Sequence, residues 1–335
     1  MEVVKQMPFA RLVRQLNIHR KIIGGQCIMD FPDGYPPGVS VTDDWNLVIL
    51  QLLKFIEVIG SVSNNPLPED EATYLDFHEV FNNMYVFIGS LKLVVDQSFY
   101  MTEYLTKSLS VLSTLDYVGK TSYCISKKLR SRSIGKDVVQ YSHQSIRVDP
   151  QTRQPLEFPS FWREKYRKYA AGLPFIMKKI TRPQICVLDF LYRIQTCDID
   201  DQNHTNNRAY VRLCMECSKR GAVERRYKCF SSVLFENGIK ELQVRFENEA
   251  LLGEEVIVYV WEATGRTDQL CFEIVKGLDV CIQATMTFYA TPINYSTSGM
   301  NKSSSPKCKG AFLTKTFLSI CLPVNISHFQ LPQDH

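Results

Sequence analysis

The order in which patterned segments follow one another constrains this chain more than any single motif, because the same order occurs twice. In the first half, residues 9–16 mix apolar and basic positions as a strand does, and a turn-rich stretch follows with Asp33-Gly34 and Pro36-Pro37-Gly38. Thr42 then suits a helix N-cap. Asp43 and Asp44 fill the first turn, and Trp45, Val48, Ile49, Leu52, Leu53, Ile56 and Ile59 recur at helical spacing until Gly60, which is expected to stop the helix. A loop through Pro66 and Pro68 and a short helix lead to four segments rich in β-branched and aromatic residues: 86–99, 105–115, 121–129 and 138–148. The last two are joined by a hairpin around Gly135. The reading is strand, long helix, four-stranded meander.

Residues 149–183 interrupt the pattern with Pro155, Pro159 and the basic residues Arg163, Lys165, Arg167 and Lys168. They read as a connection with one short helix, its charges facing water. The order then restarts: a strand over 185–196, a helix over 206–220, and strands over 241–246, 256–263, 269–275 and 280–289. Without a gap, Leu91-Lys92-Leu93-Val94-Val95-Asp96 lies opposite Leu242-Gln243-Val244-Arg245-Phe246-Glu247, and further on Glu103 meets Glu254. A length of 335 residues has room for about two domains. The expected division is a first unit over 1–154, a linker over 155–184 and a second unit over 185–293. The Ser-, Asn- and Lys-rich stretch 294–335 is expected to be a disordered tail.

Composition excludes several classes. Hydrophobic residues make up 45% and charged residues 22%, a globular balance. A net charge of +4 gives no electrostatic case for nucleic acid. The most apolar stretch, 47–59, carries Gln51, Lys54 and Glu57, so no membrane span is expected. Arg11, Arg14 and Arg20 occupy the N-terminal region without an apolar signal core, and eleven cysteines are scattered without a framework. Both point to free thiols and a cytoplasmic location, a mitochondrial one staying open. There is no Gly-rich phosphate loop, no Gly-x-Ser-x-Gly elbow and no paired-His zincin helix, since His78-Glu79 lacks a second histidine. Cys214 and Cys217 lie one helical turn apart with no second close pair, so no metal is expected.

The densest polar cluster is Asp198-Ile199-Asp200-Asp201-Gln202-Asn203-His204-Thr205-Asn206-Asn207, followed by Tyr210, between a strand and a helix. Helix-opening N–H groups lack internal partners and can meet an oxygen gaining negative charge. Asp200 and His204 add a carboxylate and an imidazole able to activate water or attack directly. An Asp/Asn-rich turn with a helix cap would account for the same composition without chemistry.

Asp-x-Asp-x-x-x-His-x-Asn-Asn-x-x-Tyr, after a strand and opening a helix, resembles the hotdog-fold thioesterases. It is most similar to the acyl-carrier-protein thioesterases and the broader 4-hydroxybenzoyl-CoA thioesterase-like superfamily. The likeness extends more loosely through Phe246-Glu247-Asn248-Glu249-Ala250-Leu251-Leu252-Gly253-Glu254 and, in the first half, through residues 147–155. It implies an α+β tandem hotdog, each unit an antiparallel sheet wrapped around a central helix, with the catalytic-type residues in the second unit. Position by position it implies catalytic roles for Asp200, Gln202, His204 and Glu249, with backbone N–H groups near Asn206 and Asn207 binding the oxyanion. Gln202 departs from the family's asparagine by one methylene. Ser98 lies opposite Glu249 in the self-superposition, so the first unit is expected to be non-catalytic and to shape the acyl pocket.

The implied activity is hydrolysis of acyl-CoA or acyl-carrier-protein thioesters, within fatty-acid metabolism and without a cofactor. A non-catalytic acyl-thioester-binding protein and a hotdog hydratase or dehydratase are the alternatives. A phosphopantetheine arm calls for a positive rim, for which Lys127, Lys128 and Arg130, or Arg225, Arg226 and Lys228, are candidates; solvated surface charge is the other reading of both groups. A homodimer is left open.

Overall fold

Burial that alternates from residue to residue, clearest over Gln26–Phe31 and Leu109–Val118, builds the strands of this chain. The computed structural model describes residues 13, 17–34, 45–67, 70–81, 84–100, 108–170, 172–185, 188–200 and 203–292. Its eleven strands are β1 (His19–Ile23), β2 (Gln26–Phe31), β3 (Tyr85–Val95), β4 (Leu109–Val118), β5 (Ser122–Ser131), β6 (Lys136–Val148), β7 (Leu188–Arg193), β8 (Ile239–Phe246), β9 (Glu255–Glu262), β10 (Gln269–Lys276) and β11 (Asp279–Phe288). Among the described residues they are accompanied by the α-helices α1 (Trp45–Asn64), the single turn α2 (Phe77–Val80), α3 (Ser160–Arg167) and α4 (Asn207–Val223).

All eleven strands join one sheet in the order β1-β2-β4-β5-β6-β3-β8-β11-β10-β9-β7, and every pairing is antiparallel. From its outer end toward the middle, each half has the same arrangement: first strand, third, fourth, fifth, second, with a long helix between the first and second. The extra strand β1 continues the first half outward. The halves meet at β3 and β8, where Lys92 faces Gln243 and Leu91 faces Val244. Lys92 and Gln243 are themselves equivalents in the ungapped self-superposition. A pair of equivalent residues facing each other across antiparallel strands is the register that a local two-fold relation requires. Tyr100 Oη donates to the Ile239 carbonyl at 2.6 Å and Tyr289 Oη to the Val95 carbonyl at 2.7 Å, closing the junction on both sides.

Several sequence expectations need correction. The segments after α1 are not a simple meander: β4-β5-β6 is one, but β3 leaves to pair with β6 and β8, because the chain crosses over after β3. Gly60 does not stop α1, which continues four residues further, since Ile59, Val62 and Ser63 remain buried. The helix ends instead where Arg20 of β1 caps it. Its buried guanidinium donates to the carbonyls of Val62 and Asn65 at 2.7 Å each, serving oxygens that a helix end leaves unpartnered. The strand read over 9–16 falls almost wholly outside the described residues, as does the tail 294–335. The first described strands are instead the β1–β2 hairpin, with Cys27, Met29 and Phe31 buried in alternation.

The connection between halves is not simply solvated. Trp162 and Tyr166 of α3 are buried, and Trp162 Nε1 donates to the Leu75 carbonyl at 2.7 Å. Further on the chain lies against the sheet, with Met177 N donating to Ser90 Oγ, Ile180 exchanging hydrogen bonds with Gln283, and Arg182 paired with Glu273 at 2.7 Å. Among the described residues, no helix is long and apolar enough to cross a membrane.

Candidate active site

Asp198 anchors the segment between β7 and α4. Nearly fully buried, its carboxylate accepts from Tyr192 Oη at 2.8 Å, Gln195 N at 2.9 Å and the Arg212 guanidinium at 2.6 Å. Its carbonyl accepts from Asn206 N at 2.7 Å. One residue therefore fixes where the strand ends and where the helix begins. Thr205 donates from both N and Oγ1 to the Ala250 carbonyl, and Ala250 N donates to Tyr210 Oη at 2.9 Å. The turn carrying Glu249 is thereby stitched to the opening of α4.

Within that frame Asp200 and His204 come together. His204 Nδ1 lies 3.1 Å from Asp200 Oδ2, both side chains being mostly shielded from solvent. Asp200 N donates to the His204 carbonyl at 2.9 Å and Asn203 N to the Asp200 carbonyl at 3.1 Å. Asn203 adopts φ +62°, a left-handed conformation that asparagine tolerates, which turns the chain back on itself. Gln202 lies outside the described residues.

The opening of α4 divides its amides unequally. Asn206 N is engaged by Asp198, Arg208 N donates to the Asn206 cap oxygen at 2.8 Å, and Ala209 N turns to the Asn206 carbonyl. Among the described residues, Asn207 N has no hydrogen-bond partner and can meet an incoming oxygen. Of the two positions named from the sequence, Asn206 serves as the cap and Asn207 as the open donor.

Glu249 faces Arg153, from which a run of aromatic contacts leads to His204. Glu249 Oε1 lies 3.8 Å from Arg153 Nε, while Oε2 is buried without a hydrogen-bond partner. The Arg153 guanidinium covers the rings of Tyr85 and Phe87, 4.9 and 5.6 Å from their centroids. Phe87 in turn meets the His204 ring edge-to-face at 5.0 Å. Phe87 can reach His204 because β8 pairs with β3 only over Ser90–Val94, so the stretch 85–89 runs past it. Sequence reasoning missed Phe87 and Arg153, since nothing local shows that two halves of a sheet will meet beside the motif.

A cavity of 220 Å³ lies beneath α1, walled by Leu53, Ile56 and Gly60 and by Ile88, Ile125, Lys127, Tyr141 and His143 of the sheet. Asn207 and Arg208 of α4 complete it, and Arg208 Nε bonds Glu57 of α1 at 2.8 Å. First-half residues thus build the cavity, and the second half brings its helix opening to it. Lys127 is not a rim residue or a solvated one. It is buried in this wall, because residues 123, 125, 127 and 129 alternate onto the helix-facing side of β5. Cys214 and Cys217 are fully buried on α4, and Cys217 Sγ lies 3.7 Å from the Val258 carbonyl.

No protein-family model matches this chain, and no curated protein does. Solved structures do. An acyl-ACP thioesterase from Bacteroides thetaiotaomicron VPI-5482 superposes over 79% of this chain and 98% of its own, with a TM-score of 0.53 and 14% identity. The 12:0-ACP thioesterase from Umbellularia californica does so over 80% and 99%, with a TM-score of 0.56 and 14% identity. The chain has the hotdog fold of these thioesterases.

Proposed function

We propose that this chain is a tandem hotdog, with units over 1–154 and 185–293 joined by 155–184, and that it hydrolyses acyl thioesters carried on CoA or acyl carrier protein. The observation that carries the reading is the Asp200–His204 contact at 3.1 Å, held at the opening of a helix whose next residues line a cavity of the other half. Carboxylate, imidazole and an open amide so arranged suit attack on a carbonyl whose acyl group occupies the cavity.

In this reading Asp200 takes a proton from a water whose oxygen bonds to the thioester carbon. The carbonyl oxygen gains charge opposite Asn207 N. As the C–S bond breaks, the sulfur leaves with the proton returned through the Asp200–His204 pair, giving a carboxylic acid and a thiol. Glu249 holds Arg153 over Phe87, and Phe87 supports the imidazole edge-to-face. Gln202 is assigned the water-orienting role of the family's asparagine. The eight described cysteines are free thiols, which suits a cytoplasmic setting.

The test is thiol release from acyl-CoA and acyl-carrier-protein substrates by wild type, Asp200→Asn and His204→Ala. Turnover that falls at least ~100-fold in both correctly folded variants supports the reading; wild-type turnover unaffected by Asp200→Asn refutes it. A non-catalytic acyl-thioester binder is the second reading, favoured by Gln202 standing where the family has asparagine. Stabilisation by an acyl thioester without turnover selects it.

A further inference from the structure

The cavity contains a buried cation. Lys127 is only 5% exposed and lines the cavity, and among the described residues its ammonium has no hydrogen bond or ion pair; the Tyr141 ring lies 5.9 Å from Nζ. Beside it His143 is buried, its Nδ1 also without a partner, and its ring packs against Tyr141 at 5.2 Å. Gly60 faces the ammonium from α1: a Cβ added there would meet nothing within 4 Å except Lys127 Nζ, at 3.8 Å. A glycine inside a helix costs about 1 kcal/mol relative to alanine, and here it keeps open the space next to the charge. The carboxylate among the lining residues, Glu57, is engaged by Arg208 and Lys54.

A pocket for plain alkyl chains gains nothing from an isolated ammonium, whose desolvation is costly unless an anion compensates it. We propose that the cavity receives a short acyl group bearing a carboxylate at the end remote from the thioester, paired there with Lys127 and hydrogen-bonded by His143. The inference rests on the acyl-thioester reading and narrows its substrate class to monothioesters of dicarboxylic acids. At 220 Å³ the space is below the usual range of ligand pockets, about 300–1,000 Å³, which favours a short group. Burial brings Lys127 down to about 8, which still leaves the amine charged at neutral pH.

The experiment compares succinyl-, glutaryl- and adipyl-CoA with butyryl-, valeryl- and hexanoyl-CoA for wild type, Lys127→Met and Gly60→Leu. Binding of free glutarate and adipate, followed calorimetrically, gives a readout independent of turnover. The expected result is a wild-type preference for carboxylate-ended chains over neutral chains of the same length, a ratio that Lys127→Met lowers by ~10–100-fold. Gly60→Leu keeps the charge but fills the space, and should weaken both substrate sets. Turnover in which neutral chains win and Lys127→Met leaves the ratio unchanged overturns this inference while sparing the hydrolase reading. Lys127-dependent dicarboxylate binding without any turnover keeps the inference and defeats the hydrolase.

Discussion

Replacing Lys127 with methionine should stabilise the protein at neutral pH, and the gain should fade in alkali. In the unfolded chain this amine holds its proton up to 10.5; burial in the folded chain brings the value down to about 8. Between those two values the unfolded state binds more protons than the folded state, so wild-type stability rises with pH through that window. Below about pH 8 the cost of keeping the charge buried is fully present. The gap is worth roughly 3 kcal/mol at about 1.4 kcal/mol per pH unit. Methionine fills nearly the same volume without a charge, in line with the neutral or stabilising effect of replacing buried charges by apolar groups. Tyr141 and His143 stay neutral in the window, as burial pushes the Tyr141 phenol up and burial together with Lys127 pushes His143 well down; burial also pushes the Cys27 thiol up. Urea unfolding of both proteins at about pH 7.5 and about pH 10.5 reads the difference. A variant advantage that does not change with pH, or a variant less stable at the lower pH, refutes the reasoning.

Asp198→Asn removes a buried charge that holds Tyr192, Gln195 and Arg212; because Arg212 is partly exposed, the loss should be about 2–3 kcal/mol in urea unfolding, and less than ~0.5 would contradict its anchoring role. Gly238 has φ +83°, and a Cβ there would lie 2.8 Å from the Tyr100 ring, so Gly238→Ala should cost about 3 kcal/mol at the junction of the halves, read as a lowered melting temperature. Phe87→Ala removes the ring against His204 and should lower kcat by up to ~10-fold with little change in KM; an unchanged kcat would remove Phe87 from the site.

The strands of both halves were legible because their alternation is local, and the α4 opening because Asn206 is a side-chain cap that the sequence displays. The β1–β2 hairpin is hidden in the sequence although Gly24-Gly25 sits between two alternating runs, because the basic and polar residues of β1 mask the buried face of Cys27, Met29 and Phe31 on β2. Gly60 was read by propensity alone, whereas its buried neighbours carry the helix through it. Lys127 was read by its charge, although its register with Tyr123, Ile125 and Leu129 already put it inside. Strand order, and with it the placement of Phe87 and Arg153 near His204, depends on contacts more than a hundred residues apart along the chain or across the seam. No local pattern encodes those.

The central claim is that chemistry from the second half acts on an acyl group held by the first. A structure of the Asp200→Asn protein with a non-hydrolysable acyl-CoA thioether tests it most directly. The account predicts the acyl chain between α1 and the β5–β6 face, with its carbonyl oxygen at Asn207 N and its far end at Lys127. A chain bound elsewhere, with Asn207 N turned away from the carbonyl, would contradict it.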